Sequence, residues 1–383
     1  MAGRDSELMI SALRAIGAGI TVDPDGAWRL TPIDQRADDE ARVDVGNAGT
    51  VLRFTPPVAA LGSRRVSFDG DEAVRRRPVG ELLTALRAVG GDVASDRVPF
   101  VINGKGRVGG GWVAIDASAS SQLVSGLLLS APRFDAGIEV VHVGARSVPN
   151  APHVAMSVAM LRERGVAVDD SVPGIWRVEP GPIRASDQTI EPDLSSAAPL
   201  LAAAVATHGT VRMAWPGTST QPGRMLPDLL QRFGATVDVA AGVLTVRGGD
   251  VITGVDVDLR DAGELAPVVA ALATLASTPS RITGIDYLRG HETDRLAALA
   301  RELSRLGASV TESDDGLAIV PKPLRGSVFS SYDDHRMVMA AAVIGLVVAG
   351  IVVDNPATVA KTFPEFLDTW ERLVQPNSPE VAS

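Results

Sequence analysis

The 383-residue chain contains no cysteine, which excludes disulfides, thiolate metal sites and thiol nucleophiles together. Net positive charge is also missing. Thirty-six Lys and Arg residues stand against 46 Asp and Glu, a formal charge of -10, so there is no broad basic footprint for nucleic acid, and any bound anion must be held by a local cluster of cations. Lysine is nearly absent, at Lys105, Lys322 and Lys361 only. The N-terminus lacks the basic-then-apolar pattern of a signal peptide, and the expected location is the cytoplasm. Charged residues make up 21% and hydrophobic ones 45%. A chain of this length and composition can bury a large core and is expected to form two or three domains.

A hydrophobic run of full membrane-span length is likewise missing. The uncharged stretch Met337 to Val353 falls just short of a usual span and contains Gly350 ahead of Ile351, Val352 and Val353. It reads as a buried helix stopped by the glycine and followed by a core strand, and no membrane partner is expected.

What is present repeats. "LRAIGAGITV", "LRAVGGDVAS", "LRERGVAVDD", "LQRFGATVDV" and "LSRLGASVTE" each end an amphipathic helix on a glycine (Gly17, Gly90, Gly165, Gly234, Gly307) and lead into a hairpin. A spacing of about 70 residues reports stacked supersecondary units. Between them lie five helices apolar all round, as in "SQLVSGLLLSAPRFDAGIEVV" and "ELAPVVAALATLASTPSRI"; such helices are buried, their amphipathic partners nearer the surface. Each unit is expected to run strand, buried helix, strand, amphipathic helix, hairpin. A sixth amphipathic helix lies near Pro364 to Leu373, which leaves one buried helix unmatched at the start. By the repeat, about 50 residues (a strand, a helix and a strand) belong ahead of "RDSELMISALRAIG", and the first unit is expected to be truncated. Six units are too many for one core, so the expected domains are residues 1-190 and 191-383, three units each and facing one another across a cleft.

The helix starts collect polar residues: "GNAGT" followed by Arg53, "SASSQ", "PDLSS", "GEL", "DDHR", "RRRP", "NAPH", "HETDR" and "KTFPE". Exposed N-H groups and the positive end of the helix dipole make such starts anion sites, and also make Ser, Thr, Asn and Asp ordinary caps there. Arg53, Arg77, Arg295, Arg336 and Lys361 stand at several of them. If the repeats gather these ends, a multiply anionic substrate is implied, and the cations are expected to repel one another in the empty site. Glu264 and Glu292 lie among them. Glu292 reads either as an ion-pair partner of Arg295, one turn on, or as half of a general acid and base pair. His335 reads either as a cap or as a hydrogen-bonding catalytic group.

Together "NAGTVLR", "RRRPVGELLTALRAVG", "SASSQLVSGLLLSAP", "HETDRL", "YDDHRM" and "AKTFPEF" resemble, in order and spacing, the 5-enolpyruvylshikimate-3-phosphate synthases, or 3-phosphoshikimate 1-carboxyvinyltransferases. The resemblance covers essentially the whole chain. It implies an α/β (α+β) class, a two-domain inverse α/β barrel-like fold of βαβαββ units, five of them complete or nearly so and one truncated. It implies transfer of the enolpyruvyl group of phosphoenolpyruvate to the 5-hydroxyl of 3-phosphoshikimate with release of phosphate, no metal or organic cofactor, and a monomer whose partners are these two small molecules.

Carried over by motif, Asn47, Gly49, Thr50, Arg77, Gln122, Arg295, Arg336 and Lys361 correspond to the phosphoenolpyruvate site. Arg53, Ser120, Ser121, Gln122, Asn150, Glu264 and His291 correspond to the 3-phosphoshikimate site. Glu264 stands where the family has the aspartate that takes the 5-hydroxyl proton, and Glu292 matches the donor to the vinyl methylene, with His335 as the third catalytic candidate. His291 stands where many members have lysine and Asn150 where a serine is common. The resemblance also implies a Lys-Ser motif with a following arginine in the segment ahead of the first helix; without it the chain is expected to be poorly soluble and to show negligible transfer. Two alternatives stay open: a catalytically incomplete member that only binds ligands, and the sister transferase acting on a UDP-amino sugar. The sister enzyme usually uses a cysteine as acid and lacks the "ETDRL" and "DHRM" signatures.

Overall fold

In a computed structural model, which describes residues 3-33 and 40-375, the chain divides into two compact units between Gln188 and Thr189, Gly3 belonging with the second.

The repeated Leu-x-x-x-Gly signature has one physical cause. Gly17, Gly90, Gly165, Gly234 and Gly307 all adopt positive φ, between 80° and 118°, a conformation that costs a side-chain-bearing residue energy. In each case the residue after the glycine donates its N-H to the carbonyl of the leucine five residues back, Leu13, Leu86, Leu161, Leu230 or Leu303. This is the Schellman closure, which satisfies the last carbonyls of the helix and turns the chain into the next strand. Antiparallel hairpins follow at 19-31, 168-178, 236-247 and 309-320, and after Gly90 the hairpin shrinks to a single bridge between Val93 and Ile102.

The apolar helices are Gly49–Leu61, Gln122–Ser130, Leu194–Thr207, Ala266–Leu275 and His335–Gly345. Four of them cross between parallel strands: Glu40–Asp44 to Arg65–Asp69, Gly111–Ile115 to Ile138–His142, Asp256–Asp258 to Ser280–Thr283, and Val328–Phe329 to Val352–Val353. The helix Leu194–Thr207 has no preceding strand, because the approach "EPGPIRASDQTIEPD" carries three prolines that cannot donate to a ladder.

Six small sheets of two to four strands result, none closed on itself among the described residues. They flank the apolar helices, an α/β arrangement with the helices innermost. In the second unit three Ala-rich helices pack on one another. In the first, the helices Gly49–Leu61 and Gln122–Ser130 touch closely enough that a Cβ at Gly126 would lie 2.3 Å from the carbonyl of Arg53.

A further element departs from expectation. The helix beginning at His335 ends at Gly345 rather than Gly350, and Ile351 to Val353 form no core strand: the ladder is two residues long and Val352 is 58% exposed. A two-stranded ladder cannot bury both faces, however apolar its residues. No helix of the described residues is long and apolar enough to cross a membrane.

Candidate active site

In the second unit, one buried arginine organises the expected residues. Arg295 opens the helix Arg295–Leu306 and is 1% exposed. Its Nε and Nη2 donate to the two oxygens of Asp334 at 2.7 and 3.3 Å, a fork fitted to a carboxylate. Nη2 also reaches Oε2 of Glu292 at 2.8 Å, and Nη1 donates to Oε2 of Glu264 at 3.1 Å and approaches Nδ1 of His291 at 3.2 Å.

Around this hub, Nε of Arg336 lies 2.6 Å from Oε2 of Glu264 as an ion pair off the hydrogen-bonding direction, and Nζ of Lys361 lies 3.1 Å from Oε1 of Glu292. Arg336 is fixed further by its Nη2, which donates to Oγ of Ser195 at 2.9 Å. Arg295, Arg336 and Lys361 therefore meet Glu264, Glu292 and Asp334, three charges of each sign. For these three cations the expected mutual repulsion is corrected: each has a carboxylate against it.

This pairing sets the protonation states. Burial pushes the pKa of Glu264 up, but Arg336, then Arg295 and His291, outweigh it and hold the carboxyl well below the ordinary carboxylate range. A quarter of the Glu264 side chain remains open to solvent. Burial alone would lower the pKa of Arg295; Asp334, Glu264 and Glu292 reverse that and raise it well above its usual value. His335 is 3% exposed, with neither ring nitrogen hydrogen-bonded among the described residues. Burial first, then Arg336 against a smaller opposing pull from Glu292, drives its pKa well below that of free imidazole. The cap of this helix is Asp334, which accepts from the N-H of Arg336 at 2.9 Å, so His335 does not cap.

In the first unit, Arg53 is 2% exposed, donates to Oε1 of Gln122 at 2.8 Å and is anchored on the carbonyl of Pro78. Arg77 donates to the carbonyl of Asn47 at 2.8 Å. Gly49 lies between them. A Cβ there would come within 2.8 Å of Arg77, 2.9 Å of Arg53 and 3.0 Å of Gln122, so the cations occupy the room a side chain would need. Thr50 follows in the first turn of the Gly49 helix. Ser120 accepts from the N-H of Gln122, and Ser121 is buried beside it. Asn150 heads the helix Ala151–Glu163 in the left-handed conformation, φ 48°.

Two participants were not singled out in the sequence. Asp334, buried completely, shows there only as the second acid of "YDDHRM"; Ser195 shows only as part of the cap motif "PDLSS". Their signal is the residue type at a helix start. Their partners, 39 and 141 positions away, are a tertiary fact.

The chain resembles known proteins along nearly its whole length. The family described as EPSP synthase (3-phosphoshikimate 1-carboxyvinyltransferase) matches residues 1–370. A 3-phosphoshikimate 1-carboxyvinyltransferase of Mycobacterium ulcerans (strain Agy99) is 51% identical over 378 residues, 98% of this chain and 87% of that protein. Among solved structures, an EPSP synthase from Acinetobacter baumannii superposes with a TM-score of 0.77 at 23% identity, covering 97% of this chain and 88% of that one. The enolpyruvyl transferase NikO from Streptomyces tendae gives 0.74 at 20% identity, covering 97% and 87%. At those identities the two structures establish the fold alone.

Proposed function

The chain belongs to the EPSP synthase family, the 3-phosphoshikimate 1-carboxyvinyltransferases, and from that premise we propose how its own residues carry the reaction. The enolpyruvyl group of phosphoenolpyruvate passes to the 5-hydroxyl of 3-phosphoshikimate and phosphate leaves, a transferase step of the shikimate pathway toward chorismate and the aromatic amino acids. The observation that carries the residue assignment is the Arg295 hub, which brings two glutamates of different surroundings to one guanidinium.

Arg295, Arg336 and Lys361, with Asn47, Gly49, Thr50, Arg77 and Gln122, take phosphoenolpyruvate; Arg53, Ser120, Ser121, Gln122, Asn150 and His291 take 3-phosphoshikimate. Glu264, kept ionised by Arg336 and Arg295, accepts the 5-hydroxyl proton. Glu292 delivers a proton to the methylene carbon of phosphoenolpyruvate, so that the 5-oxygen bonds to C2. The tetrahedral adduct then returns a methyl proton to the Glu292 carboxylate as the C2-O bond to phosphate breaks, restoring the double bond, and the departing phosphate takes the proton held by Glu264.

Charge balance supports the division of labour. Glu292 lies against both Arg295 and Lys361. The phosphate and carboxylate of phosphoenolpyruvate compete for the same cations, which weakens their hold on Glu292 and raises its affinity for the proton it must give. His335, neutral and adjacent, adds no charge to this balance. A cytoplasmic monomer acting on small molecules completes the reading, in keeping with a formal charge of -10. The test is phosphate release from phosphoenolpyruvate with 3-phosphoshikimate, with a UDP-amino sugar, and with neither. Release that requires 3-phosphoshikimate supports the assignment, and release that requires the nucleotide sugar, or no acceptor, defeats it.

A further inference from the structure

Immediately before the buried Asp334, two consecutive non-glycine residues, Tyr332 and Asp333, both have φ of 54°. Such backbone persists only where the surroundings over-determine it, and the surroundings here are specific. The Tyr332 hydroxyl donates to Oε1 of Glu302 at 2.6 Å. The other oxygen of Glu302 accepts from the N-H of Ser330 at 3.2 Å and from Arg305 at 2.7 Å. Asn355 donates to Asp333 at 2.8 Å, and the N-H of Ser331 donates to Asp354 at 2.9 Å. Glu302 is 0% exposed, a fully buried carboxylate that no step of the transfer uses.

The placement of Glu302 explains why it is there. It lies on the same helix as Arg295, seven residues on, or about 10 Å along the axis. That helix therefore grips the turn at two points, Arg295 on Asp334 and Glu302 on Tyr332 and Ser330. With the second grip released, the left-handed pair keeps fewer restraints, and any relaxation moves Asp334, which both orients the Arg295 guanidinium and caps the helix that presents Arg336.

We propose that Glu302 and Tyr332 are positioning residues of the transfer reaction, clamping the 332-333 turn so that Asp334 sets Arg295 and Arg336 for phosphoenolpyruvate. The proposal rests on the reading that these two arginines hold that substrate. Tyr332→Phe tests it by removing only the hydroxyl. Its kcat/KM for phosphoenolpyruvate should fall about 10-fold, the scale of a sub-ångström misplacement. KM for 3-phosphoshikimate should change less than about twofold, and the melting temperature should stay within about 5 °C of the parent. Glu302→Gln, which keeps the shape and removes the charge, should show the same selective loss, and the double variant should be little worse than either, since both cut one connection. Unchanged phosphoenolpyruvate constants in both variants of an active parent overturn the clamp alone. Equal losses for both substrates in step with melting temperature also overturn it, because they describe general loosening. A parent without 3-phosphoshikimate-dependent phosphate release overturns the functional reading and the clamp with it. If Tyr332→Phe does not fold, Glu302→Gln gives the same decision.

Discussion

Lys361 meets Glu292, its Nζ 3.1 Å from Oε1, whereas Arg295 contacts Glu264, Glu292 and Asp334 together. The two cations should therefore fail differently. Lys361→Ala should weaken phosphoenolpyruvate binding by about 1.5 to 3 kcal/mol, the range of a charge-assisted contact, with little change in melting temperature. Arg295→Ala strands the wholly buried Asp334 without its partner and should cost about 3 to 5 kcal/mol of stability as well. Calorimetric titration and thermal melts of both variants check the contrast; equal melting temperatures would show that Arg295 is not the structural centre.

Gly49→Ala would ordinarily favour a helix start. Here the new methyl lands within 3.0 Å of Arg77, Arg53 and Gln122, and moving two guanidinium groups should reduce kcat/KM by about 10- to 100-fold. Steady-state kinetics on the purified variant provide the check, full activity meaning that the side chains yield without cost to the site.

His335 gives the pH dependence a sign. Its folded pKa is depressed, first by burial and then by Arg336, so the unfolded chain takes up a proton that the folded one refuses. The stability it contributes is complete above the unfolded value of about 6.5 and is lost as pH falls below it, with a slope approaching about 1.4 kcal/mol per pH unit. Melting temperature between pH 7 and 5 should fall less steeply in His335→Gln than in the parent. Identical slopes would mean that the ring takes up its proton equally in the folded and unfolded protein.

The fold was legible wherever a local rule wrote it. Five Leu-x-x-x-Gly endings announce five Schellman turns because only glycine takes that φ cheaply, and the all-apolar helices announce their burial by composition. The apolar trio Ile351 to Val353 misled, because burial depends on how many strands a sheet has, and the sequence of one strand does not contain that number. In the site, cations and glutamates at helix starts were legible as residue types. Their pairing was not: Arg295 finds Asp334 and Arg336 finds Ser195 across 39 and 141 residues, and without such partners Arg295, Arg336 and Lys361 look mutually repulsive when they are paired.

The assignment of Glu292 as the proton donor is the centre of the account, and Glu292→Gln tests it most directly. The glutamine keeps the shape and one acceptor beside Arg295 and loses both the negative charge and the transferable proton. Steady-state phosphate release should fall by about 100-fold or more, while titration with phosphoenolpyruvate shows affinity equal to or tighter than the parent, since a competing carboxylate has gone. Turnover equal to the parent would contradict the account and leave Glu292 as an ion-pair partner of Arg295 and Lys361.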